Sequence, residues 1–328
     1  MATASEPKTL QQAMVYFADP DNCLSFLVAR RFREGVFCPR CGSKEVSFLS
    51  TRRLWECKSK HPKRQFSIKV NTIFEDSPIS LEKWLVAVWM IANCKNGVSS
   101  YEIHRAIGVT QKSAWFMMHR IRLALKVGSF HKLGGGPENE VEVDETFIGG
   151  KLRNMHKDKK VIYNKRGGAF GKTVVMGILD RGRGEVRAKV VADTKRDSLV
   201  PNIAKQVKYG STVYTDEAVQ YQDLAKSQYA YLHDVINHAE AYVKGRVHTN
   251  GIENFWSLLK RGIGGTYVAV EPFHLDRYVD EQVFRYNNRA TTDNPMNDFD
   301  RFSLAVTNIV GKRLTYAELT GKEGETAF

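Results

Sequence analysis

Three consecutive glycines and a proline interrupt the chain at residues 128–139 (GSFHKLGGGPEN), and the hydrophobic pattern differs on the two sides of them. Neither helix nor strand runs easily through such a stretch, because glycine leaves the backbone unrestrained and proline withdraws an amide donor. Ahead of the break, residues 80–127 are strongly helical in pattern. Behind it, residues 140–148 alternate as a half-buried strand does, 172–180 (KTVVMGILD) form a near-continuous apolar run suited to a central strand, and 184–192 alternate again. A helical stretch to about 209, a strand at 211–215, another helical stretch, a weak strand near 231–236 and helices at about 251–261 and 273–289 follow. Strands first, then helix alternating with strand, predict a mixed α/β sheet with helices on its faces.

At 328 residues the chain is too long for one small core, and 42% hydrophobic with 11% aromatic content is ample for several. The expected segmentation is a helical segment at 1–36, a Cys-bearing unit at 37–70, a helical region at 71–127, the linker at 128–139, an α/β domain at 140–295 and a less regular tail at 296–328. Lysine and arginine number 49 against 36 acidic residues, a formal net charge of +13, which favours a polyanionic partner. No run of 18 apolar residues is present, and the opening MATASEPKTLQQAM lacks the charged-then-apolar layout of a signal peptide. A cytoplasmic protein without membrane association is therefore expected.

Three of the five cysteines cluster in FCPRCGSKEVSFLSTRRLWECKSKHPKRQFS. Cys38 and Cys41 form a C-x2-C knuckle; after 15 intervening residues, Cys57 and His61 form C-x3-H. Three thiolates and an imidazole close a tetrahedral structural Zn²⁺ site, and the residues between the two pairs read as a short hairpin, predicting a zinc ribbon. Cys57 lacks a second cysteine beside it, so His61 must serve as the fourth ligand. Cys23 and Cys94 stand alone, and a disulfide framework is not expected.

In VSSYEIHRAIGVTQKSAWFMMHRIRLALK, Ser99 and Glu102 have the spacing of a capping box, Gly108 ends the first helix, and Thr110 can cap a second. Ala114, Met117, Ile121 and Leu125 form the apolar stripe of that second helix. The pattern predicts a helix-turn-helix-like region in which Lys112, Arg120 and Arg122 could meet a major groove and phosphates.

Three acids and a lysine carry the chemistry. Asp144 sits in the alternating EVEVDETFIGG, Asp216 ends a β-branched run in STVYTDEA, and Glu253 lies on a helix in HTNGIENFWSLLKR with Lys260 seven residues on, two turns along nearly the same face. A fold that gathers these carboxylates makes a pocket of hard oxygen ligands for two Mg²⁺ (or Mn²⁺) ions about 3.5–4 Å apart, the arrangement that cleaves phosphodiesters. Lys260 and Arg261 would position phosphate. Asn250 admits two readings: a third ligand in place of Glu253, or an N-cap with Glu253 as its N3 partner. Asp180 and Asp193 read as turn formers and His248 as a structural histidine. Residues 149–172 carry eight Lys/Arg, among them Lys151 and Arg153, against one acid, a loop suited to DNA contact.

The order of these motifs resembles the bacterial insertion-sequence transposases of the ISXO-like branch, over about residues 20–290. The resemblance implies the DDE class: an RNase H-like mixed sheet flanked by helices, preceded by a zinc ribbon and a helix-turn-helix-like region. It implies Asp144 as the first catalytic acid, Asp216 as the second and a third in the following helix, with 36 residues between Asp216 and Glu253. It further implies double-stranded DNA as partner, both element terminal inverted repeats and target, a homo-oligomer assembled on that DNA, and a nucleoid-associated location. A late helical glutamate followed by arginines would be Glu281 and Arg285, but the position seven after Glu281 is Asn288, a departure from the pattern. Two other readings remain open: a structure-selective nuclease or resolvase with the same core, and a non-catalytic DNA-binding regulator.

Overall fold

The glycine-rich break falls where one structural unit gives way to another. Residues 1–127 together with 288–328 make one unit and residues 128–287 the other. The computed structural model describes residues 6–126, 128, 131–136, 138–150, 171–222, 224–225, 230–236, 247–292 and 294–321.

The first unit opens with α1 (Leu10–Phe17), whose start is capped by Thr9, and α2 (Pro20–Arg31), where Asp19 caps and Pro20 takes the first helical position. A three-stranded antiparallel sheet follows: β1 (Val46–Leu49), β2 (Leu54–Cys57) and β3 (Gln65–Phe66). Helix α3 (Leu81–Asn93) is buried nearly all round, with Trp84, Leu85, Val88, Trp89 and Ile91 at most 2% exposed. Helix α4 (Ser100–Ile107) begins on the Ser99/Glu102 capping box and ends at Gly108, which adopts φ 62°. Helix α5 (Gln111–Leu125) begins on Thr110.

The residues read as a tail contain α9 (Asp298–Thr307) and α10 (Tyr316–Thr320), and they belong to this first unit. An aromatic cluster holds them there: Phe302 stacks on Phe26 with centroids 5.3 Å apart and meets Trp89 at 5.1 Å. Phe299 and Phe302 stand three apart on α9, so one helical face carries both rings into the cluster.

The second unit is built on a five-stranded sheet of β4 (Glu140–Ile148), β5 (Thr173–Asp180), β6 (Glu185–Val191), β7 (Thr212–Asp216) and β8 (Leu232–Ile236), in the order β6-β5-β4-β7-β8. β4 pairs antiparallel with β5 and β5 with β6, whereas β4 pairs parallel with β7 and β7 with β8. Helix α6 (Arg196–Gln206) covers one face, burying Leu199, Val200 and Ile203 against Val141, Val143, Met176 and Val213. Helices α7 (Asn250–Arg261) and α8 (Leu275–Asn287) cover the other, packing Ile252, Phe255, Trp256 and Leu259 against Val175, Leu179 and Val186. The apolar run of β5 is buried on both faces for that reason. Along β6, an edge strand, the amides of Val186 and Val190 donate to the side chains of Asn287 and Asp276. The mixed α/β sheet expected from the sequence is thus present. No helix among the described residues is long and apolar enough to cross a membrane.

Candidate functional site

In the first unit, the hairpin of β1 and β2 brings the two metal-binding pairs together. The Cys38 Sγ lies 3.5 Å from His61 Nε2 and the Cys41 Sγ 3.6 Å from Cys57 Sγ, and ligand atoms of all four residues fall within 4.8 Å of one another. Tetrahedral zinc with thiolate bonds of about 2.3 Å spaces its ligands by roughly 3.7 Å, so these four fit it. Burial alone would raise the Cys57 thiol, but hydrogen bonds from His61, from the Ser59 amide and from Cys41 outweigh it and hold the thiol down at about 6. His61, half-buried, is raised in turn, chiefly by its bond to Cys57, and its Nδ1 lies 2.7 Å from the Pro62 carbonyl oxygen. A thiol so disposed is ready to ligate at neutral pH.

In the second unit, strand register assembles the acids. Glu142 lies opposite Tyr214 in the last pair of the parallel β4–β7 ladder, and Asp144 and Asp216 each follow two residues further along their strand. Both offsets are even, so both carboxylates project from the face that α7 covers. Glu253 stands in the first turn of α7, where it accepts a 2.8 Å hydrogen bond from Thr249 Oγ1. Burial raises the Asp144 carboxyl, N–H donors of Glu145 and Trp256 pull it down, and the charges of Asp216 and Glu253 raise it again, to about 6. Glu145 is pushed to about 8 by burial and then by Asp144 and Asp216, and its buried Oε1 has no hydrogen-bond partner among the described residues. Mutually repelling hard oxygens are a donor set that a divalent cation relieves, whereas Glu145, one residue past Asp144 on β4, alternates to the opposite sheet face with Val141 and Val143. Among the described residues, only the zinc set closes to within 4.8 Å, so the three acids are spaced more widely than a single tight ion site.

Lys260 and Arg261 are exposed in the last turn of α7. Seven residues of helix put Lys260 roughly 10 Å along the axis from Glu253. Lys151 and Arg153 lie outside the described residues.

Two expectations need correction. Arg120 and Arg122 do not face a groove: they are 6% and 1% exposed. Arg120 donates to the carbonyl oxygens of Leu314, Ile73 and Glu75 at 2.8–3.0 Å, tying α5 to the C-terminal segment. Arg120 became interior because Leu314, in a segment taken for a tail, comes back to it; Arg122, two residues on and on another side of the helix, is buried as well. Lys112, in the first turn of α5, remains exposed, its ammonium 4.9 Å from the Tyr316 ring centroid. Nor is Asn250 the helix cap. Thr249 occupies that position and Asn250 is the exposed first residue of α7. Asp180 and Asp193 are turn formers as read, accepting backbone amides of Arg183 and Lys195.

Sequence reading missed the charged network under α7. Arg181 bonds Glu142 at 2.6 Å, Glu140 at 3.0 Å, and the His248 ring and carbonyl at 2.8 and 2.6 Å, while its guanidinium lies 4.5 Å from the centroid of the Tyr214 ring. Tyr214 donates to Glu140 at 2.9 Å. The signal was available in EVEVDE: Glu140, Glu142 and Asp144 share one strand face, opposite Val141 and Val143, and acids on a covered face require partners.

Residues 132–287 match the ISXO2-like transposase domain, and residues 18–59 the transposase zinc-ribbon domain. The chain is 27% identical over 258 residues to an uncharacterized protein in transposable element ISH50 of Halobacterium salinarum, spanning 75% of this chain and 83% of that protein. It is 33% identical over 104 residues to an uncharacterized transposase-like protein of Haemophilus influenzae, spanning 32% of this chain and 82% of that protein. A chain in the cryoEM structure of a simian T-cell lymphotropic virus intasome with PP2A regulatory subunit B56 gamma is 14% identical, over 62% of this chain and 70% of that one, with a TM-score of 0.30. A superposition that loose bears on neither fold nor function.

Proposed function

Because the chain belongs to the ISXO2-like transposase family, we propose that it is a DNA transposase that cuts the ends of an insertion element and joins the freed 3′-hydroxyls to target DNA. The observation that carries this reading is the placement of Asp144 and Asp216 on one sheet face, each two residues beyond the last β4–β7 pair Glu142 and Tyr214, with Glu253 near enough to raise the Asp144 carboxyl. The strand order and directions support assignment of an RNase H-like core. Asp144 and Asp216 would offer carboxylate oxygens from strands held by ladder hydrogen bonds, and Glu253 would reach them from α7. Two Mg²⁺ (or Mn²⁺) ions held there would supply an activated water or hydroxyl and stabilise the leaving oxygen. Lys260 and Arg261, exposed two turns along, would contact phosphates of the strand being cut. His248 is engaged with Arg181 and is not available as a base. The ribbon, held by structural Zn²⁺, and the Lys112 end of α5 would bind the terminal inverted repeats, with two or more copies of the chain assembled on the DNA.

The test uses the purified zinc-loaded chain, Mg²⁺, a duplex carrying the element's terminal repeat and a target plasmid. Cleavage at the 3′ ends and covalent joining are expected, both lost in Asp144→Asn and in Asp216→Asn while end binding persists. Cleavage without joining would make the chain a structure-selective nuclease or resolvase. Binding without either would make it a regulator.

A further inference from the structure

Helix α7 is tied to β4 at two points, each through an acid of the strand. The Ile252 amide, in the first turn of the helix, donates to Glu142 Oε2 at 2.8 Å, and the indole Nε1–H of Trp256 donates to Asp144 Oδ2 at 2.9 Å. Glu142 and Asp144 are two residues apart on one strand face, a span of roughly 6.6 Å. Ile252 and Trp256 are four residues apart on one helix face, a rise of about 6 Å. The two spans match, so both bonds form with the helix running alongside the strand.

A glycine lies under each tie. Gly177 stands opposite Asp144 in the antiparallel β4–β5 register, and a Cβ there would come within 2.6 Å of the Trp256 ring. A Cβ on Gly251 would lie 2.3 Å from Leu179 Cδ2 and 3.0 Å from Glu142 Oε2. Bare backbone at both positions lets the helix sit close enough for these bonds. Glu253 lies between the two ties, one residue after Ile252 and three before Trp256, so its distance from Asp144 is set by them.

We infer that Trp256 is a positioning residue for the proposed reaction. Its indole N–H holds the Asp144 carboxylate in one orientation while Glu142 holds the helix start, and together they fix the Asp144–Glu253 separation on which divalent-cation binding depends. The inference rests on reading Asp144 as a metal-holding acid. The Trp256 bond occupies a lone pair of Asp144 Oδ2 and the Glu145 N–H another of the carboxylate's, so the remaining ones are left for a cation.

The experiment uses the full zinc-loaded chain and Trp256→Phe, which keeps a ring over Gly177 and deletes the donor. Mn²⁺ binding is measured directly, by loss of the free-ion electron paramagnetic resonance signal, alongside Mg²⁺-dependent cleavage. Losing one hydrogen bond to a charged acceptor predicts about a tenfold rise in the Mn²⁺ concentration for half-saturation. kcat should fall with the KM for end DNA unchanged, and the Ile252 amide should keep its hydrogen-exchange protection. Glu142→Gln should instead loosen that protection and raise the Mn²⁺ requirement as well. If Trp256→Phe disturbs folding, benzothienylalanine at position 256 supplies the same bicyclic shape without the N–H and should reproduce the shift. Wild-type Mn²⁺ affinity and kcat in a folded variant lacking the donor would overturn the proposal, provided Asp144→Asn abolishes Mn²⁺ binding. Wild-type Mn²⁺ binding in Asp144→Asn would instead overturn the reading of Asp144 on which it rests.

Discussion

Glu142 and Arg181 meet at 2.6 Å beneath the start of α7, where the Glu142 side chain is 1% exposed. Glu140 depends on the same guanidinium, at 3.0 Å. Breaking a buried pair by removing one partner leaves an uncompensated charge, which costs about 3–5 kcal/mol. Arg181→Met strands two carboxylates at once and is expected to lower the stability of the sheet-bearing unit by at least that much in urea unfolding. A loss under 1 kcal/mol would show that water reaches these acids.

The Asp144 carboxyl, raised to about 6, makes a pH prediction with a definite sign. The unfolded carboxyl titrates near ~4, so between these values the folded chain holds a proton that the unfolded chain releases. The penalty is therefore fully present above pH 6 and fades as pH falls towards 4. Metal-free Asp144→Asn should melt higher than the wild type at pH 7.5, by about 1–3 kcal/mol in stability, and the difference should shrink by pH 4.5. Mg²⁺ should raise the wild-type melting temperature at pH 7.5 and leave the variant unmoved. Scanning calorimetry at the two pH values checks both statements.

Thr249, rather than Asn250, occupies the cap of α7, which separates two substitutions. Glu253→Gln is expected to abolish cleavage with little change in stability. Asn250→Ala removes an exposed first-turn side chain and should cost no more than about 0.5 kcal/mol while retaining most activity. A dead Asn250→Ala beside an active Glu253→Gln would transfer the third-ligand role to Asn250.

The Cys38, Cys41, Cys57 and His61 set should bind one zinc per chain by elemental analysis. Cys57→Ser, or chelation, is expected to unfold the ribbon and weaken end binding more than tenfold. The far-ultraviolet signal and Mg²⁺ response of the sheet-bearing unit should survive, since its core contains none of these residues.

Burial of Arg120 predicts a stability defect where a DNA-contact defect was expected from sequence. Arg120→Met leaves three carbonyl oxygens without their donor and should cost about 2–4 kcal/mol. Lys112→Ala should leave stability unchanged, weaken DNA binding across all sequences, and reduce the slope of log affinity against log salt by about 1.

The chain's local chemistry was legible without a structure. Helix caps at Ser99 and Thr110, the zinc spacing, the buried run of β5 and the apolar stripe of α7 each follow from residue type at short range, and each has its place in the fold. Periodicity along EVEVDE also put Glu140, Glu142 and Asp144 on one face. What residue spacing could not decide was which element covers each face. Burial of Arg120 depends on Leu314 returning to α5 across nearly two hundred positions. The division between Asp144, left among repelling acids and an indole, and Glu142, sealed under Arg181, likewise depends on where α7 lands on β4. Caps, turns and ligand spacings are settled within a few residues by backbone geometry. Burial, pairing and proton affinity are settled by distant segments closing over a surface, and only the tertiary structure specifies those.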